Sequence, residues 1–354
     1  MREMSPRERV VTAMRREQPD RVPKTAGFTP TIQEKFQQAT GQTNAAEYFG
    51  FETRGIGFKA PEQLPDFSPW YPGGVPEGTV FSEYGTGRYP AGFYHFTGRL
   101  HPLERATTVE ELEEYPWPDY TPAWRHERLE ESCRTLHDAG WAVNGGVGHI
   151  WEMAWQLTRM EKLMEDMLFN RHFAAFIFDR IMEDRAFMAR RVAEAGADII
   201  HCGDDIGMQD RLMMSPAMWR EWLKPRWRKV IKGAKDANPD CLAFYHSDGD
   251  VRQVIDDLIE IGFDILNPVQ PECMDPAQIK RDYGDRLALW GCIGTQTTMP
   301  FGTPEQVRAT VKWTIENAGQ GGGLLIAPTH VLEPEVPWEN IETLFEAVDE
   351  YGVY

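Results

Sequence analysis

Short apolar runs of strand length, each ending in small or polar residues, alternate along this chain with stretches whose apolar positions recur at helical spacing. The runs occupy 22–28, 53–58, 141–145, 198–202, 242–245, 264–266, 287–290 and 324–327, and between the last six lie helical patterns at 163–195, 218–237, 251–261, 276–283 and 304–318. Alternation of this kind predicts parallel strands joined by right-handed crossovers. Eight such units close as an α/β (β/α)8 TIM barrel, with a doubly wound open sheet as the alternative. Helix starts are written in a common grammar. Ser5-Pro6-Arg7-Glu8 supplies a cap, a first-turn proline and a glutamate that can return a bond to the cap, ahead of Val10, Val11 and Met14. The same signature recurs at Thr108-x-x-Glu111 and at Thr303-Pro304-Glu305-Gln306.

Residues 59–140 break the rhythm with proline, glycine and aromatic clusters such as Pro69-Trp70-Tyr71-Pro72-Gly73-Gly74. A loop this long in a compact protein is usually functional. It reads as an irregular insertion after strand two of a single domain spanning 1–354. The expectation is that it covers the barrel mouth, with Trp70, Tyr71, Phe93, Tyr94 and His95 as one wall of the cleft. A contact between copies, as in a homodimer, is the other use of such a surface and is compatible with the first.

Charge and cysteine usage narrow the class. With 37 Lys and Arg against 55 Asp and Glu, the net charge of −18 excludes a general binder of nucleic-acid backbone. No apolar stretch approaches the roughly 18 residues of a membrane span, and the charged, helical opening does not read as an export signal. The 5 cysteines are widely spaced and form no Cys-x-x-Cys pair, so neither a disulfide framework nor a zinc knuckle is expected, and a reducing, cytoplasmic setting follows. No phosphate loop, Gly-x-Gly-x-x-Gly after a strand, or internal repeat is present.

Barrel enzymes place their chemistry at the carboxyl ends of the strands. Those ends carry His149 and Glu152 after the third run, Asp204, Asp205 and Gln209 after the fourth, and His246 and Asp248 after the fifth. Asn267, Gln270 and Glu272 follow the sixth, Cys292 and Gln296 the seventh, and His330, Glu333 and Glu335 the eighth. Core packing does not require such a series. Each residue also has a plain structural use: His246 as a bonded core histidine, Asp204 and Asp205 as caps, Asn267 as a loop former, and Cys292 as a small buried hydrophobe. His201, inside its strand, is expected to point away from the mouth. Imidazole and carboxylate groups facing one another can hold a divalent ion with an open position, or exchange protons without metal, and the sequence alone does not separate the two.

Several segments in order resemble the uroporphyrinogen decarboxylase superfamily. They are Pro6-Arg7-Glu8-Arg9-Val10 with Pro19-Asp20-Arg21-Val22-Pro23, Gly203-Asp204-Asp205 through Ser215-Pro216 to Lys224-Pro225-Arg226, and His246-Ser247-Asp248-Gly249. Leu266-Asn267-Pro268-Val269-Gln270-Pro271 and Pro337-Trp338-Glu339-Asn340-Ile341 complete the set. The resemblance implies a barrel with a deep cleft and one of two activities, porphyrinogen decarboxylation or methyl transfer to or from a corrinoid protein. True decarboxylases carry an arginine-rich loop after the first strand, whereas 24–53 here contains no arginine. His330 does fall where the decarboxylases have a histidine after the last strand. Members of the methyltransferase branch hold zinc with a His-x-Cys pair and a later Cys, and the matching positions here are His246, Asp248 and His330.

The resulting expectation is a methyltransferase that takes a small methylated substrate and uses zinc and a partner-borne corrinoid (cobalamin-type) cofactor. Its metal would sit on His246, Asp248 and His330, because strands five and eight face one another across a barrel, with Glu152, Cys292 or Glu333 as a further ligand. Asp204, Asp205, His246 and His330 are the expected catalytic groups, and His149, Glu152, Gln209, Asn267, Gln270 and Gln296 the substrate-binding ones. The alternatives are a metal-free decarboxylase or lyase using Asp204, His246 and His330, and a non-catalytic tetrapyrrole binder.

Overall fold

The computed structural model describes residues 3–90 and 97–354. Among the described residues ten strands are formed: β1 (Thr53–Ile56), β2 (Val80–Phe81), β3 (Gly87–Pro90), β4 (Thr97–Leu100), β5 (Ala142–Gly148), β6 (Ile199–Gly203), β7 (Leu242–His246), β8 (Ile265–Asn267), β9 (Ala288–Ile293) and β10 (Leu324–Pro328). Seven of them build a curled parallel sheet in the order β1-β5-β6-β7-β8-β9-β10. The expected first strand is not a ladder strand. Residues 22–28 run extended beside β10, touching it at the single bridge Lys24–Ile326, and the Glu52 amide donates to the Lys24 carbonyl at 3.2 Å on the other side. Pro23 has no N–H to give, which limits what this segment can pair. The curl is thus seven strands, with an extended segment lying between its two edges.

Alternation along the strands divides the core. Ala142, Ile199, Leu242, Phe244, Ile265, Ala288, Trp290, Leu325 and Ala327 face inward and pack with Val10, Ala13 and Met14 of the helix Pro6–Met14. That helix plugs the amino-terminal end of the sheet and pushes the open end to the opposite side. Val143, Ile200, Ala243, Tyr245, Leu266 and Leu289 face outward against the surrounding helices. The capping boxes read from sequence form at Ser5, Thr108 and Thr303. Two expected helices are divided: 163–195 is Met160–Phe169 and Arg171–Glu194, and 218–237 is Pro216–Trp222 and Lys224–Ala237. Pro225 in the first turn of the latter excludes an uninterrupted ladder through Leu223.

The insertion holds a small antiparallel sheet, β2-β3-β4, which its irregular composition does not announce. It leans on the helices after β5. The Leu103 amide donates to Leu157 at 2.8 Å, and the Tyr84 hydroxyl donates to Asp184 at 2.6 Å. Trp70 and Tyr71 pack on Tyr115 and Phe81 of the insertion itself, whereas Phe93, Tyr94 and His95 lie outside the described residues.

Near the plug, a charged network ties the chain's first turns to β1. Arg9 bonds Asp20 at 2.6 Å and also pairs with buried Glu52, to which Arg21 adds a contact at 3.1 Å. Burial raises the Asp20 pKa, but the bonds from Arg9 and the Met4 amide outweigh it and hold the group at about 2. Because the folded-state value is depressed, its contribution is present above the ordinary value near 4 and is lost as pH falls toward 2. Replacing Asp20 with Asn is therefore expected to remove about 2 kcal/mol at pH 7 and progressively less below pH 4. Urea unfolding of both proteins from pH 3 to pH 7 checks this, and a difference independent of pH would contradict it.

Candidate functional site

At the open end, β6, β7 and β8 deliver their last residues side by side, with Gly203 paired to His246 and His246 to Asn267. The first pairing needs glycine: Gly203 has φ 151°, and a Cβ there would stand 2.2 Å from the His246 carbonyl oxygen. The Asp204 amide then donates to that carbonyl at 2.9 Å. His246 is oriented by Asn267. Its Nδ1 lies 2.7 Å from Asn267 Oδ1, while Asn267 Nδ2 donates to the Trp290 carbonyl at 3.0 Å, which fixes the amide's orientation. Asn267 Oδ1 must accept, so Nδ1 carries a proton, and in the neutral ring Nε2 is the nitrogen left to act as a ligand. Nε2 is 3.4 Å from Asp205 Oδ1, and Asp205, His246 and Asp248 each offer a ligand atom within 4.8 Å of the others.

The turn after β7 is laced in place. The Asp248 amide donates to Asp205 at 2.8 Å, the Gly249 amide to Gln270 Oε1 at 2.6 Å, and the Ile206 amide to the Ser247 hydroxyl at 3.1 Å. Asp248 Oδ1 is buried and has no hydrogen-bond partner. Burial pushes the Asp248 carboxyl upward and the facing Asp205 charge adds to this, against the pull of His246 and His330. An oriented imidazole, two convergent carboxylates and an orphaned carboxylate oxygen fit a divalent cation.

His149 and Glu152 form the adjoining wall. His149 Nδ1 stands 2.6 Å from a Glu152 carboxylate oxygen, and the His149 ring centroid is 6.2 Å from that of His246. Burial lowers the His149 pKa, but the bond to Glu152 and the charges of Glu152 and Asp204 outweigh it, so the net shift is upward. The Arg185 guanidinium holds the His149 carbonyl at 3.0 Å.

Other expected site residues fall elsewhere. Asp204 is fully buried; one oxygen accepts from the Ile150 amide at 2.8 Å and the Glu152 amide at 3.2 Å, the other from the Trp227 indole at 2.8 Å. It ties helices together instead of facing the cleft. Burial is the largest influence on its pKa, which rises to about 7. His330 is exposed and stands outside the three-donor cluster, in which Asp205 takes the third place. Asn267 and Gln270 serve as positioning residues, orienting His246 and the turn at Gly249. Gln209 is exposed and donates to the Glu272 carbonyl at 3.0 Å, and Gln296 is also exposed. Cys292 is a buried thiol pushed up to about 12 by desolvation, and Glu333 is partly exposed. His201 lies one layer beneath His246, stacked on Phe244 at 3.8 Å, where burial drops its pKa to about 3. Ser247, Arg185 and Trp227 escaped notice as supports, because no local signal marks a residue whose partner is far along the chain.

The family description "Uroporphyrinogen decarboxylase (URO-D)" matches residues 101–351. Among curated proteins, a methylcobamide:CoM methyltransferase MtaA of Methanosarcina barkeri is 32% identical over 163 residues, covering 46% of this chain and 44% of that protein. A uroporphyrinogen decarboxylase of Coxiella burnetii is 25% identical over 164 residues, covering 45% and 42%. The matched region thus spans less than half of either relative. A solved structure, a methyltransferase from Methanosarcina mazei, superposes with a TM-score of 0.66 at 21% identity over 99% of both chains, which establishes the shared fold. No helix among the described residues is long and apolar enough to cross a membrane.

Asp204→Ala leaves two buried N–H groups and a part-buried one without their acceptor. It is expected to cost about 3 kcal/mol of stability. Urea unfolding at pH 7 measures this, and a loss under about 1 kcal/mol would show that the carboxylate is not the tie described.

Proposed function

The chain belongs to the uroporphyrinogen decarboxylase family, and on that premise we propose that it is a metal-dependent methyltransferase. It moves a methyl group between a small methylated substrate and a corrinoid carried by a partner protein. The observation that carries this reading is the convergence of Asp205, His246 and Asp248 around a buried, unpartnered carboxylate oxygen. These three residues hold the ion. Zinc suits imidazole with carboxylate and supplies, when bound, a Lewis acid toward the atom that carries the methyl group. A set without thiolate is harder than the family's thiol-activating one, which favours an oxygen- or nitrogen-linked methyl group over a thiol.

The chain's own groups divide the remaining work. Asn267 holds the His246 ring with Nε2 turned to the carboxylates, and the Asp248 N–H keeps Asp205 turned toward it. His149, held by Glu152 and with its pKa shifted upward, is placed beside the cluster as the group that can give a proton to a leaving oxygen or nitrogen. The relatives include decarboxylases, but the residues here serve that chemistry poorly. Asp204 is sealed away, and no arginine occurs from 24 to 53. Arg54, the next arginine, is bonded to the carbonyls of Phe51 and Thr53 and stacked over Trp141 at 3.8 Å.

Incubation with cob(I)alamin and a panel of methyl ethers, methylamines and thioethers tests the proposal. Methylcobalamin is expected to form from an ether or amine, and chelation or His246→Ala should lower the rate at least about a thousandfold. Carbon dioxide release from a porphyrinogen would establish the decarboxylase reading instead. Tight corrinoid binding with no turnover would indicate a binding protein.

A further inference from the structure

A second cleft, of about 330 Å³, lies between the insertion and the junction of helices Trp151–Thr158 and Met160–Phe169. Its lining is cationic, on a chain of net charge −18. Arg99, Arg105 and Arg159 line it, with Glu104 as the one acid, 3.9 Å from Arg105. Among the described residues, no carboxylate oxygen lies within ion-pairing distance of Arg99 or Arg159. Arg99 is seated with its guanidinium over the Trp155 ring at 5.3 Å.

Two further features of this cleft carry a local cost. Arg99 on β4 stands directly opposite Arg88 on β3, so two like charges share one face of the small sheet; burial first and the Arg88 charge second disfavour the Arg99 cation, against the pull of Glu152. Arg159 is a non-glycine residue at φ 80°, ψ 147°, a sparsely populated conformation that turns the chain between the two helices. Trp70 and Tyr71 supply an aromatic wall, and the Tyr71 hydroxyl is already committed to the Gly85 carbonyl at 2.6 Å. His101 is likewise tethered, its Nδ1 at 2.8 Å from the Gln156 carbonyl, which leaves Nε2 available.

We propose that this cleft binds a phosphate-type anion carried on a larger ligand. Planar guanidinium forks match phosphate oxygens in geometry as well as charge. The helix Trp151–Thr158 that backs the cleft begins at the candidate metal site, with Glu152 in its first turn, and Arg159 follows its last residue. Seven steps along the helix separate Glu152 from Arg159, a rise of about 10 Å. A single ligand of corrinoid size can span that distance, its tail phosphodiester in the arginine cleft while its ring faces the cluster. A separate phosphorylated small molecule presents the same chemistry. The first source rests on the methyltransferase reading, and the anion site itself does not.

Calorimetric titration of the full chain with pyrophosphate at low salt tests the site. Binding is expected, weakened at least tenfold in the double variant Arg99→Gln, Arg159→Gln and largely retained when both are changed to Lys. Parallel titrations with cobalamin and with cobinamide, which lacks the nucleotide tail, identify the source. A tenfold preference for cobalamin that disappears in the Gln variant assigns the anion to the corrinoid tail. Equal affinities alongside intact pyrophosphate binding assign it to a separate phosphate ester. Absence of pyrophosphate binding, or binding indifferent to both Gln substitutions, would overturn the proposal. Failure of methyl transfer with pyrophosphate binding intact would count against the methyltransferase reading alone.

Discussion

With no solvent exposure and three N–H groups aimed at its two oxygens, the Asp204 carboxylate joins elements that would otherwise be placed independently. It caps the helix that carries Glu152 from outside, anchors the helix Lys224–Ala237 through Trp227, and follows β6 directly, immediately before Asp205. The cost is that of desolvating a carboxylate, seen in a pKa near 7, and the return is a fixed relation between two walls of the cleft. Asp205 and the His149–Glu152 pair inherit their positions from it.

From that anchor the site assembles in steps of decreasing depth. His201 and Phe244 fill the layer below, dry enough to keep an imidazole neutral. His246 stands one layer higher, its tautomer set by Asn267, and Asp205 and Asp248 close on its free nitrogen. The hydrogen bonds of Ser247, Gly249 and Gln270 hold the turn, leaving Asp248 Oδ1 without a donor inside the protein. A buried carboxylate oxygen in that condition is poorly accommodated by the fold and well accommodated by a cation. The plug helix at the opposite end fills the sheet's lower interior and leaves the chemistry a single open end.

Much of this was legible in the sequence because short-range rules governed it. Strand positions followed from apolar run length, and the capping boxes from Ser5, Thr108 and Thr303. Where long-range partners decided, the sequence was silent or misleading. Asp204 and Asp205 are adjacent and chemically identical, yet one is sealed under a helix while the other faces the cleft, a division made by strand pleat and by Trp227. His330 looked equivalent to a ligand by strand order; it is exposed and outside the three-donor cluster, though near enough for its charge to act on Asp248. The 22–28 segment had the composition of a strand and failed to form a ladder where Pro23 lacks its donor. The small sheet β2-β3-β4 was hidden because its strands are only 2 to 4 residues long.

The central claim is that Asp205, His246 and Asp248 hold one divalent ion. Crystals of the protein purified without added metal, measured on either side of the zinc absorption edge, address it directly. The account predicts one anomalous peak bonded to His246 Nε2 and to both carboxylates. Well-ordered density at these residues with no peak, and His246 bonded directly to Asp205, would contradict it.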